Sequence, residues 1–262
     1  LFQPALNIKS GVDYTGFLFL KGDGKVRAQL ELRSVNNDLV ALQELGEVSH
    51  GEWQKYEISL SAGREGFNGS FILALKGEGS VWVDQAQLYP SDSYLGHGTR
   101  KDMVEYYKDL KPSIIRWPGG TYLIWHQWKN GIGPLEDRHY GDGRRLVDKH
   151  GVAHWGEWDP NTFGTDEFIQ FCRDVGAEPM ININIKDGLD NALDWMEYCN
   201  GDATTKWGGI RAKNGHEEPY NVKYWVVDNE PLVLSDDKAF NRKLYPILAR
   251  QFAEAMRQKP RR

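Results

Sequence analysis

The chain has 262 residues, 40% of them apolar and 26% charged, which is the composition of an ordinary folded protein with one large or two medium domains. A formal net charge of −5 and a pI near 5.8 argue against nucleic acid as a main partner, and the apolar runs are too short to span a bilayer. Ten Trp and twelve Tyr stand out, because aromatic rings stack on the apolar faces of sugars as readily as they fill a core.

Residues 1 to about 90 read as all-β. Tyr14–Lys21, Lys25–Arg33, Leu39–Leu45, Gln54–Ser61, Ser70–Leu75 and Ser80–Leu88 are short and apolar, and many alternate. Gly-containing turns at Lys21–Gly24, Gly51, Gly66–Gly69 and Gly77–Gly79 separate them. Short strands at regular spacing predict a β-sandwich of jelly-roll type.

After Pro90 the hydrophobic period changes to that of helices. Thr99 can cap a helix whose inner face is Met103, Tyr106, Tyr107 and Leu110. A strand, Ser113–Trp117, follows and is closed by Pro118-Gly119-Gly120. The aromatic loop from Thr121 to about Thr162 is longer than a connection requires. Thr165 can cap the next helix, with Phe168, Phe171, Cys172 and Val175 inward and Gly176 at its end. Then come a strand at Pro179–Ile185, a helix with Ala192, Leu193, Trp195, Met196 and Cys199 inward, and a second loop, Asp202–Asn221. Val222–Val227 reads as a strand buried on both faces. The last helix carries Leu244, Ile247, Leu248, Phe252 and Met256, and Pro246 either kinks it or marks its first turn.

The alternation predicts a parallel sheet joined by right-handed crossovers. The expected architecture is thus a jelly-roll sandwich at 1–90 followed at 91–262 by an α/β unit that is a partial (β/α)8 barrel. Three strands cannot close an eight-stranded barrel, and the exposed apolar surface predicts homo-oligomers. Cys172 and Cys199 read as buried free thiols. The seven His read as scattered, so no metal and no cofactor is expected. Without an initiating Met or a leader the chain reads as an internal piece, and its cellular address stays open.

Three places carry candidate chemistry. Asp228, Asn229 and Glu230 follow the strand Val222–Val227, where α/β barrels keep their catalytic groups, so Glu230 is a candidate catalytic acid or base; capping of the next helix is the alternative. Trp225, Asp228 and Asn229 could supply the dry or negative surroundings that raise a carboxyl pKa, and Asn229 could bond a sugar hydroxyl. Arg116, ahead of Pro118-Gly119-Gly120, is either a partner for a carboxylate in the barrel mouth or one half of a structural ion pair. Asn182 and Asn184 share one strand face, either as an internal network or, for Asn184, at the mouth. Trp125, Trp128, Trp155, Trp158, His126, His139 and His154 either line sugar subsites or pack the loop. Glu136, Asp137, Glu157 and Asp187 read as solvated loop charges.

From about Val81 onward the chain resembles glycoside hydrolase family 51, best known for α-L-arabinofuranosidases. The resemblance rests on V-W-V-D-Q-A-Q-L-Y-P (81–90), G-H-G-T-R-K-D-M-V (96–104), L-K-P-S-I-I-R-W-P-G-G (110–120) and W-K-N-G-I-G-P-L-E-D-R (128–138). It continues through N-T-F-G-T-D-E-F (161–168), A-E-P-M-I-N-I-N (177–184), W-M-E-Y-C-N-G (195–201), R-A-K-N-G-H-E-E-P (211–219) and K-Y-W-V-V-D-N-E (223–230). It implies a metal-independent retaining glycosidase acting on arabinan or arabinoxylan of the plant cell wall. Glu230 would be the general acid/base, with Asn229 beside it holding the sugar, Asn184 in the mouth and Trp128 near a subsite wall. The residues at 1–90 look like a carbohydrate-binding-module-like domain. Two positions depart from the pattern: Thr121 stands where an Asn that contacts the sugar is common, and Asp228 where Gly is common. The resemblance also implies barrel strands two to four only, with the nucleophilic Glu beyond Arg262 and little activity in the chain alone. An endo-β-1,4-glucanase or xylanase of the same family, and a non-catalytic carbohydrate-binding protein, are the alternatives.

Overall fold

Alternating apolar residues in the first hundred positions produce five antiparallel strands: β1 (Phe2–Ile8), β2 (Asp13–Arg33), β3 (Leu39–Val48), β4 (Gln54–Ser61) and β5 (Gly66–Pro90). They are seen in a computed structural model that describes residues 1–142, 158–230 and 238–258. The chain divides into two units, Leu1–Met103 and Val104–Arg262.

Strands β2 and β5 are each far longer than the segments expected from the sequence. They pair from Tyr14 opposite Pro90 to Arg33 opposite Ser70, with one register shift between Phe17 and Phe19. Two of the glycine clusters read as turns, Lys21–Gly24 and Gly77–Gly79, lie opposite one another inside this ladder, with Gly24 facing Gly79. Gly79 has φ of +144°, and a Cβ there would come within 2.1 Å of the Asp23 carbonyl oxygen, so glycine serves close backbone approach and not chain reversal. On its other edge β2 pairs with β4 along Asp13–Leu20 and with β3 along Val26–Arg33. All five strands therefore belong to one hydrogen-bonded sheet, where two sheets of a jelly roll were expected. Leu18 and Leu20 from one half of β2 share a core with Leu30 and Leu32 from the other, together with Ile58, Leu60, Val48 and Leu73. Each such buried side chain is worth about 1.5–3 kcal/mol of apolar transfer.

The helix α1 (Lys101–Leu110) runs across the boundary from the first unit into the second and leads into β6 (Ile114–Trp117). The expected inner face of α1 is corrected. Val104 is the buried residue and Tyr107 sets its ring against Phe171, whereas Met103, Tyr106 and Leu110 are exposed. A two-stranded pair, β7 (Gly141–Asp142) with β8 (Trp158–Asp159), precedes α2 (Thr165–Val175). Then follow β9 (Glu178–Ile183), α3 (Leu189–Asn200), α4 (Lys206–Lys213), β10 (Tyr224–Val227) and α5 (Lys238–Gln258). β6 and β10 both pair in parallel with β9, giving the order β10-β9-β6.

Ile181, Ile183, Trp117, Trp225 and Val227 from one face of this sheet meet Phe168, Ile169, Cys172, Trp195, Met196, Cys199, Phe252 and Met256 in a single core. Both cysteines are buried and unpaired, as their helix positions predict. β10 is less buried than its composition implies: Tyr224 is exposed and Trp225, Val226 and Val227 are half-buried, because β10 is an edge strand in the described sheet.

Helix starts differ in detail. Thr165 is the first helical residue of α2 and not its cap; its hydroxyl accepts from Trp195 Nε1 at 3.0 Å. The Glu167 carboxylate instead accepts the Gly164 amide at 2.8 Å. The segment read as a second loop contains α4, capped by Thr205, whose hydroxyl accepts from the Gly208 amide. Gly208-Gly209 lowers its helix propensity and hides it in the sequence. No helix among the described residues is long and apolar enough to cross a membrane.

Candidate active site

The C-terminal ends of β9 and β10 bring together the groups that the sequence places after two separate strands. The Asp228 amide donates to the Ile183 carbonyl at 2.8 Å, which sets Asp228 beside Asn184. Asn184 is buried; its side-chain carbonyl accepts from the Lys186 amide at 3.0 Å and its amide reaches the Ile124 carbonyl at 3.4 Å. Asn229 is half-buried, and its backbone amide donates to the Asp228 carboxylate at 2.6 Å. Glu230 follows at the surface, exposed. Asp228 and Glu230 both hold left-handed backbone, with φ of +72° and +45°, a costly conformation for non-glycine residues that recurs at functional sites.

Two carboxyls near these strand ends are shifted by burial. Burial holds the Asp228 carboxyl above the usual carboxylate range, and one of its oxygens is buried without a hydrogen-bond partner. Burial raises Asp187 too, with the Asp228 charge adding to it, against a 3.3 Å hydrogen bond from Gln127. Asp187 is thus a half-buried member of this cluster, where the sequence reads as a solvated loop charge.

The other candidates are distributed as follows. Trp128 is 1% exposed, stacked on Trp195 with centroids 5.7 Å apart and flanked by Trp207 and Tyr198, which leaves no ring face for a sugar. Arg116 is exposed on β6 and pairs in register with Met180, four residues before Asn184; among the described residues it makes no ion pair. Thr121 lies in the 3-10 turn Gly120–Ile124, with its side chain outside the described residues. Asn182 is fully buried on the same strand as Asn184, and its amide has no hydrogen-bond partner. His154, Trp155, Glu157 and the side chain of Trp158 lie outside the described residues, and His139 is exposed.

His126 is buried against Trp117 and Trp195, and burial pushes its pKa down to about 4. Among the described residues no group of three or more His, Cys, Asp or Glu could hold a metal ion. His150 and His154 are an exception to the scatter of histidines, with a four-residue spacing that metal sites use; both lie outside the described residues.

The sequence profile described as the Alpha-L-arabinofuranosidase 1 domain matches residues 106–261, more than half of the chain. The chain belongs to the α-L-arabinofuranosidase family, glycoside hydrolase family 51. It is 31% identical over 249 residues to alpha-L-arabinofuranosidase 1 of Arabidopsis thaliana, covering 86% of this chain and 35% of that protein. To alpha-L-arabinofuranosidase C of Emericella nidulans it is 38% identical over 162 residues, covering 62% and 30%. The arabinose-bound MgGH51 α-L-arabinofuranosidase shares its fold, with a TM-score of 0.81 over 98% of this chain and 44% of that one at 22% identity. The Thermotoga maritima α-L-arabinofuranosidase in its arabinose complex gives 0.52 over 63% and 32%, at 39% identity. The chain spans about a third of the length of these two curated relatives.

Two buried charged residues anchor this glycoside hydrolase family 51 chain, Arg138 with no role expected from the sequence and Asp166 expected only as an acid in the first turn of α2. Arg138, buried at the end of W-K-N-G-I-G-P-L-E-D-R, donates to Glu167 at 2.7 and 3.1 Å and to the carbonyls of Gly133 and Asn161. Asp166 is buried in the first turn of α2 and accepts from Tyr198 and Tyr220 hydroxyls at 2.6–2.9 Å. The signal available for both was a charged residue inside an otherwise specific motif. Charges that deep survive only with partners.

Proposed function

We propose that the chain is a section of a retaining α-L-arabinofuranosidase that releases arabinofuranosyl groups from arabinan or arabinoxylan, with Glu230 as general acid/base. The observation that carries the reading is the position of Asn229 and Glu230 directly past the C-terminal end of the parallel strand β10, in a chain of this family. Glu230 would protonate the glycosidic oxygen as the sugar transfers to a second carboxylate, then take a proton from the water that releases it. Two carboxyls about 5–5.5 Å apart serve such double displacement, and the second is not assigned to any residue of this chain. Asn229 would hold the hydroxyl next to the reacting carbon, and Asn184 the floor of the mouth. Two of the related structures hold arabinose, which supports a furanosyl site.

In the same reading the three parallel strands are part of a (β/α)8 barrel within 91–262, and residues 1–90 are a carbohydrate-binding-module-like β domain built on its single hydrogen-bonded sheet. Exposed apolar residues such as Tyr106, Leu110, Ile114 and Tyr224 favour association between copies. The test is turnover of aryl α-L-arabinofuranosides against xylan and cellulose by the protein carrying this chain. Arabinose release that falls about 10²–10⁴-fold in Glu230→Gln supports the reading. Preferential cleavage of xylan or cellulose backbones, or full activity in Glu230→Gln, overturns it.

A further inference from the structure

We propose that an Asp159–Tyr122–His126 chain holds His126 as its Nδ1–H tautomer, and that the lone pair left on Nε2 anchors one internal water shared with Trp128 and with the wall formed by Asn184 and Asp187. The tautomer follows from proton bookkeeping. The Tyr122 hydroxyl has one proton and donates it to the Asp159 carboxylate. Its oxygen lies 3.1 Å from His126 Nδ1, so Nδ1 is the donor in that contact. A neutral imidazole carries a single N–H, and Nε2 is therefore an acceptor.

The water follows from the surroundings. His126 is 4% exposed and its Nε2 has no hydrogen-bond partner; Trp128 is 1% exposed and its Nε1–H has none either. Both residues line one cavity of about 10 Å³, together with Asn184, Asp187 and Asn191. That volume is about one probe sphere, enough for a single water and too small for a sugar hydroxymethyl group. A water there donates to His126 Nε2, accepts from Trp128 Nε1–H and gives its second hydrogen to an oxygen of Asn184 or Asp187. Each of these bonds matches a donor with an acceptor. Burial keeps the ring neutral, with a pKa of about 4, so the acceptor persists at neutral pH.

His126 is then a positioning residue: through the water it steadies the wall formed by Asn184 and Asp187, where the Asn184 amide also donates to the carbonyl of Ile124. That consequence rests on the proposed place of Asn184 in the sugar site, whereas the tautomer and the water do not.

Long-range proton–nitrogen correlation spectra of the uniformly ¹⁵N-labelled chain read the tautomer directly. The expected result is a pyrrole-type Nδ1 and a pyridine-type Nε2 for His126 at pH 7, with the Nε2–H form appearing in Tyr122→Phe. A wild-type His126 in the Nε2–H form overturns the proposal, and so does a Tyr122→Phe spectrum unchanged from wild type. A crystal structure that resolves ordered solvent is expected to show one water bonded to both His126 Nε2 and Trp128 Nε1, lost in Trp128→Phe. A dry cavity in wild type overturns the second half. None of these readouts depends on turnover, so their failure is separate from failure of the glycosidase reading.

Discussion

Asp228 holds a φ of +72° while its own carboxylate accepts the backbone amide of Asn229 at 2.6 Å. The local hydrogen bond is the kind that lets Asp adopt left-handed backbone, which costs other L-residues about 1–2 kcal/mol. The family's usual residue here, by resemblance, is Gly, which adopts this conformation without strain.

Asp228→Gly therefore removes strain and a buried carboxyl with an unpartnered oxygen. The expected outcome is a gain of roughly 1 kcal/mol in unfolding free energy. Asp228→Ala, which keeps the strain, is expected to gain less. Urea denaturation of both variants checks this, and a Gly variant less stable than the Ala variant would contradict it.

Trp128 offers a decisive contrast between core and subsite. Stacked on Trp195 and flanked by Trp207, it should behave as a core side chain, so Trp128→Ala is expected to cost about 3–5 kcal/mol. Calorimetric melting measures that loss. A fully stable Trp128→Ala whose defect appears only in sugar affinity would return Trp128 to the subsite wall.

His126 makes stability depend on pH in a known direction. Its folded pKa of about 4 lies below the ordinary 6.5, so below pH 6.5 the unfolded chain binds a proton that the folded one refuses. The contribution is complete above pH 6.5 and is lost as pH falls towards 4, at about 1.4 kcal/mol per pH unit. Urea midpoints at pH 7, 6 and 5 should fall more steeply for wild type than for His126→Gln. Parallel slopes would show that the histidine is protonated in the fold.

Legibility in the sequence followed physical cause. The helix faces of α2 and α3 and the order of strands β6, β9 and β10 were readable because one apolar stripe packs on one sheet. The length of β2 and β5 was not, since glycines that permit close backbone approach look like glycines that turn a chain. α4 was hidden by Gly208-Gly209, and its fully buried Arg211 by the habit of reading arginine as surface. Asn229 and Glu230 were legible as a strand-end pair. The burial of Asp187 and Asp228 was not, because it depends on contacts between separate strand ends.

The assignment of Glu230 is tested most directly by Glu230→Ala in the protein carrying this chain, assayed with and without azide. The account predicts near-normal rates on a dinitrophenyl arabinofuranoside in the glycosylation step and a loss of about 10²–10⁴-fold on arabinan, where the leaving group needs a proton. It also predicts that azide accelerates turnover and yields an arabinofuranosyl azide of retained configuration. Unaltered activity on arabinan, or an azide product of inverted configuration, would contradict it.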